Sequence, residues 1–468
     1  MASWLHVDAA YRLGPRALGL GVWGKGPGRW LAGRRLGVGL ADPLAGADIR
    51  PLWEAQRWVG VDASAALAWM AAHPPFAGPH WLCGQEAALR VLQLGQALPR
   101  PLPGWARPVL LAHARRIAAN PAYAMAQDNN HPISEAAGLL VCGLLLASRH
   151  LAARGAARLD GAMARLVAPD GGFAQPSPAY HRLMLDVVTA TEMLRRLWGG
   201  PPAAAGTLLR AAAATDVLRQ FTCPHSGALP RIGHQDGSAF DGSPDARGSL
   251  ARAEALFGTA PARTAWRCDG FAGWAAAGAR AILRTGGGGF RPAHADFLHL
   301  DLWDGPLNVL RDGGTGAYNP APEHAWWLQH FWSVAAHNTV QFDGAEPMPR
   351  VSRFLHAQWP ATGADWVRDR HGRHHAREVE PRGREWRVTD RLDGPFTRAT
   401  LRWRLAPGEW RLTRDGVEGP AARIQVTGTP RLEQGWESLA YGEATSCPVL
   451  VSELGPARTA ETNIRLPG

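Results

Sequence analysis

Lysine is almost absent from this 468-residue sequence: Lys25 is the only one, and arginine carries the rest of the basic charge. The formal net charge is +10. A basic surface draws polyanions, whether nucleic acid, anionic lipid or acidic polysaccharide. The crowding of Ala, Gly, Pro and Arg is also what a GC-rich coding sequence produces, so the charge alone selects no partner. Cysteine is scarce as well. Cys83, Cys142, Cys223, Cys268 and Cys447 are odd in number, widely spaced and form no CxxC pair. That excludes a disulfide framework and a thiolate zinc site, and Cys142, inside an apolar run, reads as core. Long hydrophobic runs are missing too. The longest, residues 136–147, falls well short of the roughly 20 residues a membrane span needs. The first residues show no charged segment followed by a continuous apolar one. The expectation is a protein with no visible signal peptide, cytoplasmic by default and periplasmic if the true start lies upstream, without membrane or nucleic-acid partners.

What is present is a globular composition, 46% hydrophobic and 19% charged. The length suits two or three ordinary domains, or one large domain plus a second. The character of the chain changes near residue 270. Before it, helical periodicity predicts helices over 84–97, 108–119, 134–154, 181–197 and 203–221. After it come short alternating segments at 297–303, 339–342 and 384–389, with Asp-Gly turn signals at 343–344, 393–394 and 415–416. Helices first and strands later predict segregated layers, an α+β chain of more than one domain. Residues 1–270 form the helical part and 271–468 the antiparallel β part, with the glycine run 286–289 near its entry. Segment 134–154 is apolar on nearly every side and must be buried all round, as an inner helix of a double-layered helical barrel would be. The polar stretch Asp128-Asn129-Asn130-His131 precedes it, at a helix N-terminus that favours negative charge.

Asn129-Asn130-His131 followed by Ser134-Glu135-Ala136-Ala137-Gly138 resembles a signature of the heparinase II/III-type polysaccharide lyases. Asp170-Gly171-Gly172-Phe173 with Gln175, Ser177, Pro178, Tyr180 and His181 resembles a second. His294-Ala295-Asp296, Asp312-Gly313-Gly314-Thr315 with Tyr318, and His337-Asn338-Thr339-Val340 resemble the family's β-domain motifs. Pro75, Gly78, Trp81, Glu86 and Arg90 resemble its early helical motif. The matches run in order from about residue 50 to about 360. The resemblance implies an (α/α) toroid followed by an antiparallel β-sandwich. It implies an enzyme that cleaves a uronate-containing acidic polysaccharide or oligosaccharide by β-elimination, with no cofactor needed for the elimination itself.

The family chemistry removes the proton alpha to the uronate carboxylate. Neutralising that carboxylate stabilises the enolate-like charge, a base takes the proton and an acid protonates the departing oxygen. The resemblance makes Tyr180 the acid and also a candidate base. It makes Asn130 and His131 the carboxylate-neutralising pair, and the three line one cleft. The structural alternatives are a packed tyrosine ring that ties a loop, and an Asn/His cluster that only caps the helix. Asn129 and Glu135 are substrate-binding candidates on the same rim, and Glu135 alternatively serves only the first turn. Arg231 and Asp236 shape the cleft or form a structural pair. Of 21 tryptophans, Trp81, Trp326 and Trp327 are candidate sugar platforms, although most tryptophans are core.

The hairpin expected across Asp304-Gly305-Pro306 brings His294 near Asp312, and His337 opens the next strand motif. One carboxylate and two imidazoles suit a three-ligand zinc site. The resemblance implies such a Zn²⁺, structural in role; a metal-free hydrogen-bonded cluster is the alternative. Two departures matter. Pro292 stands where many members carry a proton-transferring histidine, and Gly233-His234-Gln235-Asp236 replaces a more acidic motif. Two rival functions follow: a catalytically weakened carbohydrate-binding protein of the same fold, and a glycoside hydrolase, which would need two positioned carboxylates among Glu86, Glu135, Asp170 and Asp236. A bacterial exopolysaccharide fits better than an animal glycosaminoglycan. The sugar, linkage and oligomeric state are not legible in the sequence.

Overall fold

The computed structural model describes residues 4–13, 15–17, 48–286 and 291–468. The chain forms two compact units. The first runs as far as Gln175 and includes 180–216 and 238–259; the second holds 176–179, 217–237 and 260–468. Helices occupy the first part of the chain and antiparallel sheets the second, as the sequence predicts.

Among the described residues, the helices of the first part are α1 (Trp4–Leu13), α2 (Arg50–Ala55), α3 (Ala63–Ala72), α4 (Gly84–Ala97), α5 (Ala106–Ala118), α6 (Pro121–Gln127), α7 (His131–Leu145), α8 (Arg149–Leu166), α9 (Pro178–Leu197), α10 (Ala205–Phe221) and α11 (Arg247–Phe257), and a short helix, α12 (Trp327–His330), lies among the strands. No helix among the described residues is long and apolar enough to cross a membrane. One expectation needs correction. Segment 134–154 is not a single helix. It breaks after Leu145, where Ala147 takes a left-handed φ of 56° and the Ser148 hydroxyl accepts the Leu151 N–H at 3.4 Å to start α8. The apolar run ends at the exposed Ala147 and gives way to Ser148, Arg149 and His150, which mark the turn. Gly143 of α7 lies against the backbone at Ala152, and Gly155 of α8 against the backbone at Leu140. A methyl at either position would push the two helices apart. α7 is buried along almost its whole length, including Leu139, Leu140, Val141 and Cys142.

Early charge in this unit is also buried. Glu86 of α4 accepts two hydrogen bonds from Arg57, at 2.8 and 2.9 Å. Burial alone would raise its carboxyl, but Arg57 and Arg50 hold it down to about 2. Arg90, one turn on, lies within cation–π range of Trp58, Trp69 and Trp81. Trp81 is therefore completely buried and offers no platform to a sugar.

In the second unit, strands Ala265–Cys268, Phe271–Ala276, Ala279–Arg284, Leu300–Asp304 and Leu307–Leu310 form a five-stranded antiparallel meander. Thr429–Glu437, Thr445–Gly455, Ala399–Arg404 and Val340–Phe342 form a four-stranded sheet in that order. An eight-stranded sheet has Glu385–Asp393 near its middle, flanked by His374–Arg382 and Thr459–Arg465. The inner faces meet in one core: Leu283, Leu300 and Leu302 from the first sheet, Leu401, Trp403 and Leu450 from the second, and Trp386, Val388 and Ile464 from the third. Period-2 alternation makes this sandwich possible, with Trp386, Val388, Asp390 and Leu392 turned inward along one strand. The link 217–237 joins it through Val217, Phe221 and Ile232, packed on Cys268, Phe271 and Ile282.

Two strand expectations also need correction. The β structure begins at Ala265, before the glycine run, and Gly287–Gly289 lie outside the described residues. The segment expected at 297–303 is a strand only from Leu300, because Leu298 adopts a left-handed φ of 60°. Both its faces are buried rather than one.

Candidate active site and metal centre

The first cluster sits where the N-termini of α7 and α4 meet. Asp128 ends α6 in the left-handed conformation and is paired with Arg16 at 2.9 Å and Arg165 at 2.8 Å. The Asn129 side-chain oxygen then accepts the His131 backbone N–H at 3.1 Å. Asn130 is buried and makes no side-chain cap. Its amide instead reaches across to Gln85 on α4, donating to Oε1 at 2.7 Å. Of the neighbouring asparagines, therefore, Asn129 tethers the helix start and Asn130 is spared for another task.

His131 lies between two elements. Its Nδ1 is 3.9 Å from Cys83 Sγ and 3.9 Å from Glu135 Oε1. Burial works against the charged ring, but Cys83 and Glu135 outweigh it and hold His131 up at about 9. The ring keeps 14% of its side-chain surface exposed. Sequence reading missed Cys83 and Gln85. They lie forty-eight and forty-five positions from their partners, and the only local signal was a helix start at Gly84.

Tyr180 is in the first turn of α9 and is nearly buried. The turn before it is built by Asp170, whose carboxylate accepts the Gly172 N–H at 3.0 Å, and by a bridge between Val167 and Phe173. His181 is structural: Nε2–H donates to the Ala214 carbonyl at 2.8 Å, and burial pushes its pKa down to about 4. Asn129, Asn130, His131 and Glu135 are thus brought together with α4. Tyr180 belongs to the same unit, whereas Arg231 and Asp236 fall in the second. Asp236 is buried; burial pushes Arg231 down, and the charge of Glu437 opposes that most.

The second cluster is in the β unit. His294, Asp312 and His337 are all buried, with one ligand atom from each within 4.8 Å of the others. Asp312 Oδ1 accepts the Gly314 N–H at 2.7 Å, and Oδ2 lies 2.8 Å from His337 Nδ1. His299 beside them is fixed by two hydrogen bonds: Nδ1 accepts the Asn338 N–H at 2.9 Å, and Nε2 lies 2.8 Å from Asp301 Oδ1. His294 is different. Both its ring nitrogens are buried without a hydrogen-bond partner, as is His337 Nε2. Burial, then His234 and His337, keep His294 neutral. Such orphaned nitrogens are costly, and one carboxylate with two imidazoles is a donor set that suits zinc. The residues fit the metal. His234, whose ring centroid is 4.8 Å from that of His294, had no place in the sequence reading beyond its departure from the family motif. Near Pro292, the backbone hydrogen-bonds to His356, which burial and Arg350 hold down to about 3.

Residues 264–448 match the model of the heparinase II/III-like C-terminal domain family. No curated protein matches the chain. Among solved structures, a heparinase III matches over 90% of this chain and 76% of its own, with a TM-score of 0.66 at 16% identity. The heparan sulfate lyase HepC from Pedobacter heparinus matches over 90% and 76%, with a TM-score of 0.59 at 17% identity. The resemblance carried by the sequence motifs therefore holds: the chain has the heparinase III fold and carries a heparinase II/III-like C-terminal domain.

Proposed function

We propose that this protein is a polysaccharide lyase that cleaves a uronate-containing polysaccharide by β-elimination. The observation that carries the reading is the pair at the start of α7. Asn130 is spared from capping, and the adjacent His131 is held cationic in a partly open position. A neutral amide donor beside an imidazolium is the arrangement that neutralises a carboxylate as charge moves onto it. Asn129 and Glu135 support the pair.

An imidazole kept protonated cannot take a proton. Pro292 has no proton to exchange. Tyr180 is then the group that removes the proton alpha to the carboxylate and delivers a proton to the departing glycosidic oxygen. The C–H electrons form the new carbon–carbon double bond as the carbon–oxygen bond breaks, so no water is consumed. His294, Asp312 and His337 would hold a zinc ion, which would cross-link the β unit and take no part in the proton transfers. The two residue-level alternatives, a mere cap at Asn130–His131 and a metal-free His/Asp cluster, are disfavoured by the Asn130–Gln85 bond and by the orphaned nitrogens of His294.

The test is incubation of the full chain with a panel of uronate polysaccharides, heparan sulfate among them, while the absorbance of the unsaturated uronate product is followed. A rise on at least one substrate is expected. New reducing ends without the chromophore would indicate a hydrolase, and binding without cleavage would indicate a carbohydrate-binding protein of the same fold.

A further inference from the structure

Cys83 is a buried thiol that the elimination itself does not use. It immediately precedes the fourteen-residue helix α4, where the first-turn N–H groups favour a negative charge and a thiolate in particular. The same helix end also receives Glu135. A Cβ at Gly84 would stand 2.6 Å from Glu135 Oε1, so only glycine lets that carboxylate approach. Two groups able to carry negative charge thus converge from α4 and α7 on one ring nitrogen, His131 Nδ1, each at 3.9 Å. His131 Nε2 is neither hydrogen-bonded nor among the buried unpartnered atoms.

We propose that Cys83 is a positioning residue for His131: its sulfur, together with the Glu135 carboxylate, pins Nδ1 at the N-terminus of α4 and leaves Nε2–H as the donor offered to a substrate carboxylate. This rests on the lyase reading for the identity of the ligand, but not for the coupling of the two side chains. The other charged groups facing the pair are accounted for. Glu86 opposes a thiolate, yet it is neutralised by Arg57 and Arg50; Arg90 on α4 and Arg158 on α8 add positive charge near Cys83 and Glu135 respectively. Burial works against a Cys83 thiolate, as do Glu86 and Glu135, but His131 outweighs them and holds the thiol below its ordinary range, whereas burial drives Cys142 up to about 12.

The experiment is an NMR titration of ring-labelled histidine in the full chain, compared across wild type, Cys83→Ser, Cys83→Asp and Glu135→Gln. Wild-type His131 should titrate at about 9. Cys83→Ser, which keeps the shape and loses the acid, should bring it down toward 6.5, its ordinary value. Cys83→Asp should restore the high value, and Glu135→Gln should lower it. Where the unsaturated product is formed, Cys83→Ser should raise KM severalfold with a smaller change in kcat, and Cys83→Asp should reverse it. An unchanged His131 titration in Cys83→Ser overturns the proposal, as does an unchanged KM. Absence of product on every substrate, with the titration shifts intact, would instead overturn the lyase reading and leave the Cys83–His131 coupling standing.

Discussion

The two histidine–carboxylate clusters are built from the same residue types and come out opposite. At the start of α7, His131 keeps part of its surface open and is flanked by Cys83 and Glu135, so it is held charged. In the β unit, His294 is sealed from solvent, has no hydrogen-bond partner on either nitrogen and is kept neutral. A charged ring near solvent is set up to meet an anion. A neutral ring with bare nitrogens is set up to meet a metal. Burial and neighbours, rather than the histidine itself, decide which.

If that contrast is right, damage to the first cluster should appear in turnover and damage to the second in stability. The largest effect should come from Tyr180→Phe, which keeps the packed ring and removes the proton-transfer group. A loss of about 10²–10⁴-fold in kcat is expected, with an unchanged melting temperature. An active Tyr180→Phe enzyme would break the assignment. Asn130→Ala and His131→Ala should each cost less, on the order of 10²-fold in kcat for a lost charge-stabilising donor, with melting preserved in His131→Ala and lowered in Asn130→Ala, which leaves the buried Gln85 without its partner.

The second cluster should respond in the other way. Protein purified without chelator should contain about one zinc per chain by elemental analysis, and His294→Ala or Asp312→Ala should abolish it. Each buried group left unsatisfied should cost about 1–3 kcal/mol, or roughly 2–12 °C in a unit of this size. Zinc content near zero in the wild type would leave a metal-free cluster and erase the contrast.

The smallest effect sharpens the first half of the comparison through pH. The His131 pKa is raised from 6.5 to about 9. Its charge-dependent contribution is thus complete below about 6.5 and is lost as pH rises through about 9. KM for a uronate substrate should rise over that upper range in the wild type, and His131→Ala should show no such rise.

Much of this was legible in the sequence, for physical reasons that vary from element to element. The helix starting at Gly84 was readable to the residue because buried apolar positions run through it and Leu98 leads into a proline-rich exit. The Leu300–Asp304 hairpin was readable from Asp304-Gly305-Pro306, and it did bring Asp312 to His294. The break between α7 and α8 was missed although polar residues mark it: Ser148, Arg149 and His150 follow the exposed Ala147, while leucines on both sides carry a helical spacing across it. The partners of the candidate site were also hidden. Nothing local to Cys83 or Gln85 announces that α7 will bring His131 and Asn130 to them, since that pairing is set by how the two helices pack.

How the glycosidic bond is broken can be measured directly. Cleavage of a uronate polysaccharide should be run in water enriched in heavy oxygen, and the product ends analysed by mass. Elimination by Tyr180 consumes no water: the uronate end should be unsaturated and one water lighter than its hydrolysis counterpart, while the other fragment keeps the glycosidic oxygen at its new reducing end and should carry no more heavy oxygen than a reducing sugar exchanged in the same water. A saturated uronate end, with one heavy oxygen per bond cleaved above the exchange control, would contradict the account and move attention to the carboxylates of the helical unit.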